Sequence, residues 1–413
     1  MNLFDLAAIL VSLAALFSWI NHRYLHLPAS IALTVLSLIT ALLILLFDHL
    51  GFELADRVEQ VLRSIDFPDT LLHGMLSFLL FAGALHVNLQ DLHSQRWIIA
   101  IMASVGVVVS TLLIGGTLYY VLPLLGFELS FAFCLVFGAL ISPTDPIAVL
   151  GIMKSSGASA SLQTKMAGES LFNDGIAVVI FAVLLIFATG EEQLSVGNVA
   201  LLFAEEAIGG IIFGLLLGYF SFRLLRQIHS YQVEILITLA TVMGGYSLAH
   251  ALHTSGPLAM VVAGLFIGNH GRLFAMSDET TQHLDSFWEL IDEILNAVLF
   301  LLIGLEFVLL SGDWPLLPAA WLAIPLIVIV RFMVVAAPVS ILKRWRSFSP
   351  GAIAILSWGG LRGGISIALA LSLPAGDQRE LILVMTYAVV LFSVLVQGLS
   401  VGHLVRYYKQ KAE

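Results

Sequence analysis

Apolar stretches of about 20 residues recur along the whole chain, separated by short polar connections, and each is long enough for an α-helix to cross a bilayer. Hydropathy predicts about thirteen such helices. They are placed near residues 6–20, 27–47, 69–90, 97–123, 129–153, 163–190, 197–226, 232–252, 257–269, 288–310, 318–342, 349–373 and 379–406. The segment 53–66 is amphipathic and is predicted to lie along the membrane interface. The ninth helix is short, so part of it is open to a non-helical conformation.

Two of the predicted helices are interrupted in the middle. The fifth contains Ser-Pro-Thr-Asp-Pro at 142–146, where two prolines remove backbone donors and exclude a regular helix. The twelfth contains Trp-Gly-Gly-Leu-Arg-Gly-Gly at 358–364, with four glycines around one arginine. Interrupted helices survive in a bilayer only where the freed backbone groups face protein or a watery cavity. Both breaks therefore indicate an internal polar site.

The spacing of the two breaks indicates a repeat. They lie seven helices apart, an odd offset that two six-helix repeats of opposite orientation produce when the seventh helix links them. Interrupted helices at corresponding positions of inverted repeats mark the central site of many secondary transporters. Accidental packing glycines and prolines are the alternative.

Composition excludes a soluble domain. The chain has 413 residues, 59% of them hydrophobic and 11% charged, with a mean hydropathy of +1.00. A soluble protein carries about 25% charged residues. The formal charge of −10 comes mostly from loops and helix ends, and no basic patch indicates a nucleic-acid partner. The single cysteine, Cys134, excludes an internal disulfide and a cysteine-based metal site.

The Lys and Arg residues of the connections fall mostly on one side of the predicted membrane. One side has Arg57, Arg63 and Arg379. The other has Arg23, Arg96, Lys154, Lys165, Arg223, Arg226, Arg272, Lys343, Arg344, Arg346, Arg406, Lys409 and Lys411. Because the richer side of a multi-pass protein is cytoplasmic, the N-terminus is predicted outside and the C-terminus in the cytoplasm.

The remaining two arginines, Arg331 and Arg362, lie inside apolar segments. An arginine in hydrocarbon costs at least about 2.5–3.5 kcal/mol on insertion scales and usually marks a working site. Four carboxylates are also inside apolar segments: Asp145, Glu169, Asp174 and Glu306. A membrane protein with this buried set is predicted to move ions.

The densest polar cluster is Gly-Glu-Ser-Leu-Phe-Asn-Asp-Gly at 168–175 in the sixth helix. Ser170, Asn173 and Asp174 are spaced i, i+3 and i+4, so their oxygens share one helix face. Hydroxyl, amide and carboxylate oxygens suit a hard cation, and Asp145 with the carbonyl of Thr144 would complete an oxygen cage. The alternative is polar contact between helices, which serine and asparagine often provide.

Charge pairing divides the carboxylates by role. A glutamate held by an arginine stays ionised and is structural, and Glu169 can pair with either Arg331 or Arg362. That leaves Asp174 and Asp145 to exchange a proton for a cation. A single site that holds either a proton or a cation gives antiport without nucleotide or cofactor. No phosphate-binding or metal-hydrolase motif is present, so an enzyme is not predicted.

Three motifs together resemble the monovalent cation:proton antiporter family, in its sodium/proton exchanger (NhaP/NHE) branch. They are Ile-Ser-Pro-Thr-Asp-Pro at 141–146, the cluster at 168–175, and Gly-Gly-Leu-Arg-Gly-Gly at 359–364. The resemblance covers essentially the whole chain. It implies an all-α polytopic membrane protein with thirteen helices and the NhaA-like antiporter fold, whose broken helices cross at the midplane.

The resemblance also implies the assembly and its place in the cell. The expected protein is a homodimer in a prokaryotic inner membrane, in contact with lipids. A core domain, which includes the helices near 69–190 and part of 288–406, is expected to move against a dimerisation domain formed by the remaining helices.

The resemblance implies the ion-binding residues as well. Asp174 would carry Na⁺ or H⁺, and Asp145, the Thr144 carbonyl and Ser170 would be further Na⁺ ligands. The pair Asn173–Asp174, where an electrogenic branch has two aspartates, implies one-for-one electroneutral exchange.

The structural charges have expected roles too. The resemblance favours Arg331 of the eleventh helix as the partner of Glu169, with Asn173 close by. Arg362 would offset the carbonyl ends of the broken twelfth helix.

Several alternatives stay open on the sequence alone. K⁺/H⁺ or mixed Na⁺/K⁺/Li⁺ exchange would use the same oxygen ligands, and a passive cation channel or a non-transporting scaffold is less consistent with paired broken helices. The acidic sets Glu205/Glu206 and Glu289/Asp292/Glu293 are either solvated helix ends or walls of a funnel that gathers cations. Glu306 either lines an exit path or, as is favoured, reaches the headgroup interface.

Overall fold

The computed structural model describes residues 3–52, 54–63, 70–190, 196–310, 314–345 and 348–411, and its regular elements are helical. The principal helices are α1 Leu3–Ile20, α2 Ala29–Phe47, α3 Leu54–Arg63, α4 Leu76–Leu85, α5 Leu89–Ala100, α6 Gly106–Val121, α7 Phe131–Leu140, α8 Ile147–Ser155, α9 Ala160–Ala188, α10 Val196–Leu225, α11 Tyr231–Ala251, α12 Gly256–Phe266, α13 Asp278–Leu305, α14 Leu317–Leu342, α15 Ala352–Trp358, α16 Gly364–Leu371, α17 Asp377–Phe392 and α18 Gly398–Gln410. The all-helical polytopic fold is confirmed.

Eight helical stretches in these ranges are long and apolar enough to cross a membrane. They are Phe4–Leu25, Ala29–Phe52, Leu89–Leu125, Ala160–Ala188, Leu201–Leu225, Tyr231–Ala251, Leu317–Leu342 and Asp377–Gln410. Several are longer than one principal helix because π-helical turns, such as Ile101–Val105 and Ser393–Gln397, join two helices without a break. The broken helices fall short of this length because each half is too short alone. The total of thirteen crossings stays a prediction.

Both predicted breaks are present and touch each other. The first separates α7 from α8, and the second separates α15 from α16. The amide of Asp145 donates a hydrogen bond of 2.8 Å to the carbonyl of Leu361, which forms an isolated antiparallel bridge. The bridge satisfies one donor and one acceptor that the breaks release, as a low-dielectric interior requires.

Helix α9 lies among the helices that build the site. It packs on α5 and α7, while α14 packs on α15 and α17. On another side, α13 packs on α2 and α4, and α10 packs on α12. The face of α9 that carries the polar cluster is therefore enclosed by protein.

Two uncertain segments of the sequence are helical. The ninth predicted helix is α12, which continues through a π-helical turn at Ile267–Gly271. The amphipathic segment forms α3, whose Leu62 is buried against the core beside α13. Residue 53 and residues 64–66 of that segment lie outside the described ranges, as does Arg346.

Two charged residues are more deeply buried than the sequence indicated. Glu306, favoured as interfacial, is 5% exposed, so that interpretation is wrong. Lys165, counted in a connection, lies in α9 at 2% exposure. Its Nζ donates to Ser161 Oγ at 2.7 Å and lies 4.9 Å from the centre of the Phe348 ring, and these two contacts compensate for lost hydration.

Candidate ion-binding site

Four polar side chains of α9 are buried within two helical turns. Glu169, Ser170 and Asn173 are each 1% exposed, and Asp174 is 7% exposed. Their spacing follows the helical period, so the helix alone brings them together. Neighbouring elements then give each of them a different environment.

Glu169 is held by Arg331 of α14. The guanidinium makes a two-pronged contact, in which Nη1 donates to Oε1 and Nη2 donates to Oε2 at 3.0 Å. Arg331 Nη2 also donates to the carbonyl of Leu356 in α15 at 3.1 Å. Such a bidentate charge-assisted pair fixes the position of both side chains. Between the two arginines that the sequence left open, the structure pairs Glu169 with Arg331.

Arg362, in the broken twelfth helix, binds carbonyl groups of the broken fifth helix. Its Nη1 donates to the carbonyls of Ser142 at 2.7 Å and Pro143 at 2.8 Å, just after α7 ends. These carbonyls have no helical partner and carry the negative end of the helix dipole. The resemblance placed these contacts on the twelfth helix. The structure places them on the fifth, because the break carries the Arg362 side chain across to its neighbour.

Thr144 lies between the broken fifth helix and α9. Its hydroxyl is 2.9 Å from Ser170 Oγ and accepts from Asn173 Nδ2 at 2.9 Å. Its amide donates to Asn173 Oδ1 at 3.4 Å. Both polar atoms of the Asn173 amide therefore contact Thr144, and they set the position of the non-helical segment.

Asp174 has no fixed partner in the described part of the chain, where its carboxylate makes neither an ion pair nor a hydrogen bond. It lines a cavity of about 550 Å³ that also reaches Thr144 and Asp145. A carboxylate that is buried, unpaired and next to a cavity can bind a mobile cation or a proton.

Asp145 lies in the break and is partly buried. Its carboxylate packs on Gly363, where an added Cβ would lie 2.7 Å from Asp145 Cβ and 2.9 Å from its Cγ. Only a glycine leaves space for the aspartate there. The two breaks thus position this carboxylate on the cavity wall.

The described residues contain no group of three or more His, Cys, Asp or Glu side chains placed to hold a metal ion. The wall of the Asp174 cavity offers carboxylate, hydroxyl and amide groups, whose oxygens are the ligands that hard cations prefer.

The predicted acidic set on α13 lies on the walls of two cavities. Glu289 and Asp292 line the cavity that contains Asp174, together with Asn296, and all three acids line a second cavity of about 810 Å³. Asn296 was missed by the sequence reasoning. Its spacing from the two acids, i+7 and i+4, is the signal that could have found it.

The sequence reasoning also missed Glu234 of α11. This carboxylate is fully buried, and neither of its oxygens has a hydrogen-bond partner in the described residues. Its position in the first turn of α11 indicated a solvated helix end.

The sequence profile described as "Sodium/hydrogen exchanger, transmembrane" matches residues 10–407. The chain belongs to the sodium/hydrogen exchanger family. It is 51% identical over 407 residues to the Na⁺/H⁺ antiporter NhaP of Pseudomonas aeruginosa, covering 97% of this chain and 96% of that protein. It is 35% identical over 385 residues to the Na⁺/H⁺ antiporter NhaH of Halobacillus aidingensis, covering 92% and 91% of the two chains. The exchanger is thus a multi-pass membrane protein.

The fold has a solved counterpart. The sodium proton antiporter MjNhaP1 of Methanocaldococcus jannaschii superposes with a TM-score of 0.77 at 19% identity, covering 99% of each chain. At that identity the likeness establishes the antiporter fold and leaves the site chemistry to the residues of this chain.

Proposed function

We propose that this protein is a secondary active Na⁺/H⁺ antiporter in which Na⁺ and H⁺ compete for Asp174. The observation that carries the proposal is the unpaired, buried Asp174 carboxylate on the cavity wall. Family membership and the names of the relatives support sodium and protons as the transported ions. Transport uses the ion gradients alone, without a cofactor.

The exchange follows from a single carboxylate with two occupants. When Na⁺ binds, Asp174 releases its proton, and when a proton returns, the cation leaves. Glu169 cannot take part because Arg331 holds both of its oxygens. One exchangeable charge per cycle makes the proposed exchange one-for-one and electroneutral.

The Na⁺ ligands we propose are Asp174, Asp145, the Thr144 carbonyl and Ser170. Thr144 and the two aspartates line the cavity. Ser170 Oγ lies 2.9 Å from the Thr144 hydroxyl. For Asn173 we propose a positioning role, since both atoms of its amide are used on Thr144.

Alternating access supplies the coupling. The proposed core domain contains the two broken helices and α9, and it moves against a dimerisation domain in a homodimer of the inner membrane. Arg362 offsets the carbonyl end of α7 so that the interrupted helices are stable in either position. The distribution of Lys and Arg supports a cytoplasmic C-terminus.

A flux assay tests the proposal. Purified protein in proteoliposomes with an internal pH dye is challenged in turn with Na⁺, Li⁺ and K⁺ at several pH values. Na⁺ is expected to dissipate the pH gradient without generating a membrane potential. A response to K⁺ alone would replace sodium by potassium, and a cation current without proton movement would indicate a channel.

The pH dependence tests the competition itself. With one proton and one cation competing for one site, the apparent KM for Na⁺ is expected to rise about tenfold per pH unit on the acid side. An apparent KM that does not change with pH would contradict a shared site.

A further inference from the structure

A second oxygen-rich position lies across the cavity from Asp174. Asp292 and Asn296 lie one turn apart on α13, and both line the cavity that contains Asp145 and Asp174. Asp292 is partly buried, and in the described ranges no lysine or arginine forms an ion pair with it. A carboxylate thus faces the ion path without a fixed counter-charge.

Asn296 supplies an independent sign of a ligand. Its side chain is 6% exposed, and its Nδ2 donates to the backbone carbonyl of Asp292 at 2.8 Å. Its Oδ1 has no hydrogen-bond partner among the described residues. A buried acceptor without a partner is destabilising, so it calls for a cation or a bound donor.

The hydrogen bond that Asn296 Nδ2 donates to the Asp292 carbonyl decides which atom of the amide is free. Because Nδ2 is used on the helix backbone, Oδ1 is the atom of this cavity-lining residue that is left for a ligand. An amide oxygen beside a carboxylate is a donor set for a hard monovalent cation. Water would satisfy the amide oxygen alone, whereas a cation would also offset the charge of the ionised Asp292 carboxylate.

Helix packing holds this position next to the primary site. Leu299, one turn after Asn296, packs on Gly364 at the start of α16, where an added Cβ would lie 2.8 Å from Leu299 Cγ. The adjacent Gly363 packs on the Asp145 carboxylate. The two donor sets are therefore neighbours across the contact between α13 and the broken helix.

A second cavity also reaches this position. It measures about 810 Å³ and shares Gly151, Glu289, Asp292 and Asn296 with the first. Asp292 and Asn296 thus lie where the two cavities meet. A cation that moves from the second cavity to Asp174 passes them.

We propose that Asp292 and Asn296 form a second Na⁺ position, which holds the incoming cation before Asp145 and Asp174 take it. The inference rests on the proposed function, because it needs a cation that travels to Asp174. Asp292 supplies the charge and Asn296 Oδ1 supplies a neutral ligand. The position lies on α13, whereas the primary ligands lie on α9 and in the broken fifth helix.

Transport kinetics give the first test. In proteoliposomes, Asp292→Asn and Asn296→Leu are each expected to raise the apparent KM for Na⁺ about tenfold, which corresponds to about 1.4 kcal/mol, with little change in kcat. Glu279→Gln is the matched control, since it removes an exposed charge of the same helix that lines neither of the two cavities. Its KM is expected to stay within about twofold of wild type. Equal effects in Asp292→Asn and Glu279→Gln would overturn the proposal, as would an unchanged KM in Asp292→Asn.

Sodium binding without transport gives the second test. The purified Asp174→Asn protein is expected to be stabilised against heat by NaCl relative to choline chloride at equal ionic strength. The double variant Asp174→Asn/Asp292→Asn is expected to lose that stabilisation. Absence of any sodium effect in Asp174→Asn would overturn the second position. The proposed antiport fails separately, if wild-type protein does not exchange Na⁺ for H⁺.

Discussion

Glu169 and Asp174 are both acidic and both buried on α9, only five residues apart, yet their surroundings differ completely. Glu169 faces Arg331 and is bound through both of its oxygens. Asp174 faces a cavity and has no partner in the described structure. Helix α9 thus places a carboxylate in two different environments. The neighbouring group, a guanidinium for Glu169 and a cavity for Asp174, determines whether the carboxylate can exchange ions.

The paired Glu169 is expected to contribute to stability, and the unpaired Asp174 to transport. A buried charge that loses its partner leaves the other charge orphaned, which costs several kcal/mol. A buried charge with no fixed partner can instead be neutralised by a mobile ion. Substitutions at the two positions should therefore damage different properties.

The largest effect is expected at the unpaired carboxylate. Asp174→Asn keeps the size of the side chain but removes the charge that binds Na⁺ and the group that titrates. Exchange is expected to fall below detection in the proteoliposome assay, while the thermal unfolding temperature stays near that of wild type. Residual exchange above background would place the carrier elsewhere, with Asp145 the next candidate.

The next largest effect is expected at the paired carboxylate. Glu169→Gln or Arg331→Met is expected to lower the free energy of unfolding by about 3–5 kcal/mol, because each leaves an uncompensated charge in the interior. Thermal denaturation in detergent measures the change.

The double variant is the control for that effect. Glu169→Gln/Arg331→Met removes both charges and is expected to recover part of the loss. Single variants as stable as wild type would show that the pair contributes nothing to the fold.

Gly360 offers a second test of how much the position of Arg331 contributes to stability. An added Cβ would lie 2.5 Å from Arg331 Nε, so Gly360→Ala must displace the guanidinium. The expected loss is about 1–3 kcal/mol of unfolding free energy, typical of overpacking. Gly244→Ala on α11 is the control, since nothing lies within 4 Å of its added Cβ. Equal behaviour of the two variants would contradict the close approach at Gly360.

Gly363 provides the corresponding test on the transport side. Its added Cβ would push on the Asp145 carboxylate, which lines the cavity. Gly363→Ala is expected to raise the apparent KM for Na⁺ about tenfold, or about 1.4 kcal/mol, with a smaller loss of stability than Gly360→Ala. The flux assay measures the change in KM, and the unfolding assay measures the change in stability. A large loss of stability with an unchanged KM would show that Gly363 supports the fold and not ion binding.

The sequence predicted the features that follow from local chemistry. Prolines at 143 and 146 and glycines at 359–364 interrupt any helix, so both breaks were visible. The period of the helix placed Ser170, Asn173 and Asp174 on one face.

Contacts between residues far apart in the sequence could not be predicted from local sequence patterns. The partners of Arg362 are carbonyls about 220 residues earlier, and hydropathy does not specify which way a guanidinium turns at a break. The burial of Glu306 and Glu234 depends on how helices rotate against each other, which apolar content does not determine. The role of Asn296 depends on a rotamer set by one bond to the backbone.

The main-chain bond between Asp145 and Leu361 has a consequence for engineering. Since it involves no side chain, substitutions that retune which ion is preferred leave it in place. The hydrogen bond that joins the two interrupted helices is therefore expected to persist when nearby side chains are changed. Libraries that vary the lining of the cavity can keep this junction and the glycines around it constant.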